Sequence, residues 1–251
     1  VTAGTNTIKN NIVRDLKSNA TASTSFFLSG IDMLAATAGN LVEGNQVYNL
    51  TQINGTAGSI FNIGMFIGSL TSGEVRKNKI YGIDATASSL LYGIYALSGS
   101  ATYSNNMISI NPAGASNNHF IGGVRDDGAG ANNWYFNSVS VAGTSGAGAN
   151  NTYAFFRNGT ATVDIKGNIF SNARTGGTGF NVTIANTNAA ATGWAATASN
   201  YNNLYNATPS TLAQWLGNLV ANNRDMAGWQ ASQGAGTPGS GGDANSYNVL
   251  V

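Results

Sequence analysis

Tyr103-Ser104-Asn105-Asn106-Met107-Ile108-Ser109-Ile110 returns 31 residues later as Trp134-Tyr135-Phe136-Asn137-Ser138-Val139-Ser140-Val141, and after another 31 as Ile165-Lys166-Gly167-Asn168-Ile169-Phe170-Ser171-Asn172. Each copy has an apolar or aromatic residue three places before an Asn and another two places after it. Working outward, the same pattern surrounds Asn11, Asn45, Asn78 and Asn203. The seven anchors Asn11, Asn45, Asn78, Asn106, Asn137, Asn168 and Asn203 are separated by 34, 33, 28, 31, 31 and 35 residues. The positions three before them are Ile8, Val42, Val75, Tyr103, Trp134, Ile165 and Asn200. Those two after are Val13, Val47, Ile80, Ile108, Val139, Phe170 and Tyr205. Only Asn200 is out of character. Self-similarity at a near-constant period marks a stack of repeats, each of which buries its apolar face against its neighbours.

A second column runs between the anchors: Gly30-Ile31, Gly64-Met65, Gly93-Ile94, Gly123-Val124, Ala154-Phe155 and Gly179-Phe180. Each repeat therefore reads as strand, loop, strand, Asn turn, strand. Asn suits the turn because it tolerates left-handed backbone better than other non-glycine residues. If the repeats stack as parallel strands about 4.8 Å apart, each anchor amide reaches the next and the polar column satisfies itself. Alternation along a strand then turns Lys9, Glu43 and Arg76 outward on one side of the anchor, where their charges alternate. On the other side it turns out Tyr48, Tyr81, Ser109, Ser140 and Ser171. The expected fold is all-β, a right-handed parallel β-helix of about seven coils. A propeller would repeat nearer 40–45 residues, and a sandwich would hold no fixed Asn phase.

Composition agrees. Charged residues make up 8% of the 251, about a third of the usual share, with 33 Gly, 35 Asn and a net charge of +1. Helix surfaces favour Glu, Lys, Arg and Gln, so a helical bundle is excluded. Hydrophobic residues at 42% argue against disorder. The 11 basic residues are scattered, which leaves no footprint for nucleic acid, and no apolar run suits direct membrane insertion. Without cysteine there are no disulfides or thiolate metal sites. The coils occupy residues 1–206. Residues 142–151 (AGTSGAGANN) form a low-complexity excursion. Residues 207–251 form a C-terminal coil or cap that continues into a larger parent protein. Within them Leu212, Trp215, Leu216, Leu219 and Val220 have helical spacing, which predicts a short helix or lid near residues 210–221. Residues 233–242 (QGAGTPGSGG) read as a flexible loop.

The run Asn202-Asn203-Leu204-Tyr205-Asn206, with Thr211-Leu212, Gly228-Trp229-Gln230-Ala231 and Asp243-Ala244-Asn245-Ser246, resembles a coil common in secreted bacterial right-handed β-helix proteins. These have the pectin-lyase-like fold and occur among Bacteroidetes-type surface proteins. The close likeness covers about 50 residues; elsewhere it rests on coil periodicity. It implies the fold, secretion to the cell surface or beyond, and often a larger parent chain. It does not imply one activity, because the fold hosts lyases, hydrolases, adhesins and tailspikes. Two departures stand out: Gly-rich residues interrupt the stretch from Trp229 to Asp243, and the sequence stops at Val251, where such proteins usually run on.

Within that resemblance, hydrolases use carboxylates on adjacent coils as acid and base. Related lyases hold Ca²⁺ on acidic residues while a Lys or Arg takes the proton beside a uronate. Arg125, Asp126 and Asp127 could supply such parts, with Asp32 in Arg125's column but three coils away. The plainer reading is a solvated charged turn, since the hydrolases' Gly-His-Gly and Arg-Ile-Lys pieces are missing. His119, the one histidine, reads as a solvated loop residue. Outward aromatics make the better case for a surface that contacts a glycan or other partner: Tyr48 and Tyr81, and Phe66, Tyr95 and Phe156 around Arg125. An ice-binding face is disfavoured because no Thr-x-Thr array repeats in phase. The expected function is a non-catalytic, extracellular structural or adhesive module that engages a polysaccharide, another surface partner or its own kind, without cofactor or metal. The alternative is a lyase or glycoside hydrolase of acidic polysaccharides, with Ca²⁺ entering only there.

Overall fold

The computed structural model describes residues 2–19, 26–53, 60–113, 118–188, 192–195, 197–217, 219–232 and 242–250. Strands make up 53% of it and helices 6%, and three parallel sheets wind into a β-solenoid of about six turns. The first sheet stacks Thr7–Lys9, Leu41–Glu43, Leu70–Arg76, Gly99–Ser104, Asn132–Tyr135, Val163–Lys166 and Ser199–Asn200. The second, past the Asn corner, stacks Ile12–Arg14, Gln46–Gln52, Lys79–Ala85, Met107–Ile110, Ser138–Val141, Ile169–Asn172 and Asn203–Asn206. The third stacks Phe26–Met33, Ile60–Ile67, Leu90–Ala96, Phe120–Asp126, Thr152–Arg157, Asn181–Asn186 and Ala213–Trp215, then adds Asn223–Arg224 antiparallel. Seven Asn corners bound six full turns, which reconciles the seven expected coils with the six observed. In residues 142–151, Thr144–Ser145 pairs in parallel with Thr175–Gly176 one coil on.

Register follows the repeat. Tyr103 lies against Trp134 and Trp134 against Ile165, and Ile108 lies against Val139 and Val139 against Phe170. Both columns are buried from the second anchor to the sixth. Inside, Tyr103 and Trp134 stack with centroids 3.9 Å apart. Outside, Glu43 meets Lys9 at 2.9 Å and Arg76 at 3.2 Å, the expected charge ladder.

Three expectations need correction. The last anchor is Asn202, not Asn203: Asn168 donates to Asn202 Oδ1, while Asn203 begins the next strand. The shift removes the anomalous Asn200, because Ser199 now stands three before the anchor and Leu204 two after it, and both are buried. Second, the last pair between anchors is Thr183-Ile184, in register with Ala154-Phe155, rather than Gly179-Phe180. Third, left-handed backbone falls on the residue before each anchor: Asn10, Gly44, Lys77, Asn105, Phe136, Gly167 and Tyr201 all have φ between 54° and 68°. At the first six corners that residue's N–H bonds across to the next coil, as Phe136 does to Lys166 O at 3.2 Å. The corner imposes the strain even on Phe136 and Tyr201, and the anchor is Asn for a different reason, its ladder.

The C-terminal part also differs in detail. Where helical spacing suggested a helix, 3-10 turns at Pro209–Thr211 and Val220–Asn222 flank the strand Ala213–Trp215. The α-helix comes later, at Met226–Ser232. It inserts Trp229 against Trp194 and Trp215, three rings meeting edge to face at 5.5–5.8 Å. The apolar residues at helical spacing are divided instead between one short strand, buried along its whole length, and the turns on either side. Residues 233–241 of the expected Gly-rich loop lie outside the described residues.

The glycine column has a steric cause. A Cβ on Gly64 would collide with Ile80 Cγ2, and one on Gly93 with Ile108 Cγ2. Each lies where the third sheet's backbone closes on the buried side chain two past the following anchor. Gly93→Ala is expected to destabilise the fold by about 1–3 kcal/mol through overpacking, read from chemical denaturation. An unchanged midpoint would contradict this account of the column.

Candidate functional site

Outward residues of the second sheet form the first candidate surface. Tyr48 and Tyr81 are in register on adjacent coils, and their rings stack with centroids 4.8 Å apart and planes 4° from parallel. Lys79 Nζ lies 5.1 Å from the Tyr81 centroid. Beyond Tyr81 the same column falls to Ser109, Ser140 and Ser171 before rising again at Tyr205. Small side chains between large ones leave a trough, a hollow of about 250 Å³ lined by Tyr81, Met107, Ser109, Ser140, Ile169 and Ser171 among others. Met107 is 57% exposed beside the serine hydroxyls. The sequence reading found the two tyrosines and placed Ser109, Ser140 and Ser171 in their column. It missed that three small residues in register make a depression.

Outward residues of the third sheet form the second surface. Phe66, Tyr95, Arg125 and Phe156 follow one another in register, as the column arithmetic predicts, with Asp32 at its start. They are not an open stacking platform. Tyr95 and Phe156 are 7% and 5% exposed, packed with Ile63, Tyr92, Tyr153 and Val182 into an apolar cluster on the outer face of the sheet, and Phe66 is half-buried against it. Neighbouring columns of this sheet are also aromatic, so the rings bury one another.

Within this cluster Arg125 is a structural cation. Its Nη1 donates to Tyr92 Oη at 2.9 Å and its Nε to Asp127 Oδ2 at 2.8 Å, and its guanidinium carbon sits 4.5 Å from the Tyr95 centroid. Tyr95 Oη also donates to Asp127 Oδ2, at 3.0 Å. Burial, with the negative Asp127 nearby, raises the Tyr95 pKa well above its ordinary value. Asp126 points the other way, into the solenoid. Its carboxylate accepts from Asn132 Nδ2 at 2.8 Å, Gly128 N at 3.0 Å and Trp134 Nε1 at 3.0 Å. Burial pushes the Asp126 pKa up, and those donors and Arg157's charge pull against it. The structure thus pairs Arg125 with Asp127 and turns Asp126 away from both, and neither acid is a solvated turn residue. Asp126 and the buried Arg157 are in register 31 residues apart, a pairing that inward-column arithmetic could have found.

His119 is buried rather than solvated. Its Nδ1 accepts from Ser89 N–H at 3.3 Å. Burial first, then the charge of Arg174, lowers its pKa to about 4, against a smaller upward pull from Asp84. Among the described residues no three His, Cys, Asp or Glu side chains gather as metal ligands, and no helix is long and apolar enough to cross a membrane.

The arrangement defines a parallel β-solenoid with a polar-floored trough on one sheet and a self-packed aromatic face on another. No protein-family model, curated protein or solved structure matches the chain.

A pH dependence follows from His119. Its folded pKa lies below its unfolded value of about 6.5, so its stabilising contribution is complete above that value and is lost as pH falls, when only the unfolded chain takes the proton. Between pH 7 and 5 at low salt, stability should fall by about 2 kcal/mol, and His119→Phe should flatten that limb. A wild-type denaturation midpoint independent of pH in this window would contradict the assignment.

Proposed function

We propose that the chain is a non-catalytic structural or adhesive β-solenoid module, working outside the cell or at its surface as part of a larger protein. The observation that carries this reading is the trough on the second sheet, where the Tyr48–Tyr81 stack opens onto a floor of serine hydroxyls flanked by Met107 and Ile169. Aromatic faces and hydroxyls are complementary to the CH faces and hydroxyls of a sugar chain. Stacked rings also supply contact area at little entropic cost. The chemistry of the third sheet supports the same reading, because Arg125 and Asp127 are committed to each other and Asp126 is sealed inside. Low charge, Asn-rich composition and the likeness of the C-terminal coil to secreted β-helix proteins support the location.

Affinity electrophoresis through gels cast with neutral or acidic polysaccharides tests the proposal. Retention of the wild-type protein is expected on at least one glycan. Tyr81→Ala should weaken it about three- to tenfold, the loss of one stacking contact of about 0.5–1.5 kcal/mol. Release of unsaturated uronates or reducing ends, abolished by Arg125→Gln, would overturn the non-catalytic reading. Binding indifferent to Tyr81→Ala and Tyr48→Ala would remove the trough from it.

A further inference from the structure

Two fully buried nitrogen-bearing side chains share the corner where the second sheet passes to the third. His119 directly precedes the strand Phe120–Asp126. Arg174 lies two residues past the strand Ile169–Asn172 and is 1% exposed. Its guanidinium reaches back along the stack: Nη1 donates to Ala142 O at 3.1 Å, one coil earlier. A Cβ on Gly143 would stand 3.4 Å from that Nη1 and 2.6 Å from Asn111 Oδ1, which belongs to His119's own coil. The two residues also feel each other electrostatically, since Arg174's charge disfavours a proton on His119.

What the corner leaves unpaired is of one kind. Arg174 Nε and Nη2 are buried with no hydrogen-bond partner, and so is His119 Nε2. Because Ser89 donates to Nδ1, the neutral ring carries its proton on Nε2, so that atom too is a donor. Among the described residues the unpartnered buried side-chain carbonyl and carboxylate oxygens lie elsewhere: Gln52 Oε1 and Asn62 Oδ1 belong to an earlier coil, and Asp127 Oδ1 and Asp164 Oδ1 to carboxylates already paired with Arg125 and Lys166. Asp84 does not neutralise the guanidinium, whose pKa is lowered by burial alone, and its two oxygens accept from Ala85 and Ala113 N–H. A sealed guanidinium without a counter-charge is strongly destabilising. Water would bring donors of its own and leave the charge uncompensated.

We propose that Arg174 and His119 form a buried binding site for one small inorganic anion of halide or nitrate size. A single negative charge matches the single guanidinium, and an acceptor without protons satisfies Nε, Nη2 and Nε2 together. The burial of both side chains favours a small ion over a carboxylate-bearing organic one. A side chain at Gly143 would collide with Asn111 Oδ1 and touch the guanidinium, so the corner is packed close beside Arg174.

Thermal unfolding in sodium chloride, bromide or nitrate, compared with sodium gluconate at equal ionic strength, tests the site. The wild-type midpoint should rise with the logarithm of small-anion concentration, as for a ligand bound only by the folded state, and should respond far less to gluconate. Arg174→Met should lose this difference while unfolding in gluconate no earlier than wild type, since it removes the uncompensated charge. His119→Phe should require more chloride for the same rise. Crystals grown in sodium bromide supply a reading independent of variant folding: an anomalous peak within hydrogen-bonding distance of Arg174 Nη2 and His119 Nε2. Equal chloride and gluconate curves, an anion response that survives in Arg174→Met, or a crystal with no bromide at this corner would each overturn the proposal.

Discussion

Everything in this solenoid hangs on a side-chain amide that fills its own hydrogen-bonding capacity once per coil. Asn106 Nδ2 donates to Asn137 Oδ1 at 2.9 Å and to Val75 O in the preceding coil at 2.9 Å. Its Oδ1 accepts from both the backbone N–H and Nδ2 of Asn78. The same set recurs at Asn45, Asn78, Asn137 and Asn168. A buried polar column is tolerable only when every member is satisfied, and a head-to-tail ladder achieves that without water. Asp could not donate to the next anchor, so the side chain must both give and accept. At the last rung the requirement changes. Asn202 Nδ2 donates to Asp243 Oδ1 at 3.0 Å, and Trp229 Nε1 donates to Asp243 Oδ2 at 2.7 Å. An acceptor-only carboxylate suits a rung that hands no proton onward.

The ladder fixes phase, and phase fixes both faces. With the anchors in register, the residue two past each Asn must enter the core, and the third sheet's backbone must pass so close to it that glycine is required at positions 30, 64, 93 and 123. The next residue outward cannot avoid its counterpart one coil away, which is why the Tyr48 and Tyr81 rings stack in parallel and the serines beyond them line up as a floor. The shape of the outward surface is thus a by-product of the order inside.

Most of the fold was legible because its period is written in residue types with few substitutes: Asn at the rung, Gly at the close approach, Val or Ile between. Errors arose where other physics intervened. At Asn202-Asn203 two candidate anchors stand side by side, and only the burial of Ser199 and Leu204 distinguishes them. Left-handed backbone was assigned to the anchor because Asn tolerates it, yet the corner places that strain on whatever precedes, Phe136 and Tyr201 included. On the third sheet, alternation correctly turned Tyr95 and Phe156 outward, but outward did not mean exposed, because three adjacent columns are aromatic. Arg174 and His119 were beyond reach for a related reason: such side chains read as solvated unless their coil neighbours are known.

The most direct test of the ladder compares an interior rung with its first one by urea denaturation. Asn106→Ala strands the backbone and side-chain donors of Asn78 and the carbonyl of Val75 inside the solenoid, and should cost about 3 kcal/mol or more. Asn11→Ala, at an exposed rung to which no anchor donates among the described residues, should cost far less. Because Asn106 and Asn137 share a bond, the double replacement should cost less than the sum of the two single ones. Equal losses for Asn106→Ala and Asn11→Ala, with simple additivity along the column, would contradict the claim that the amide ladder holds the stack together.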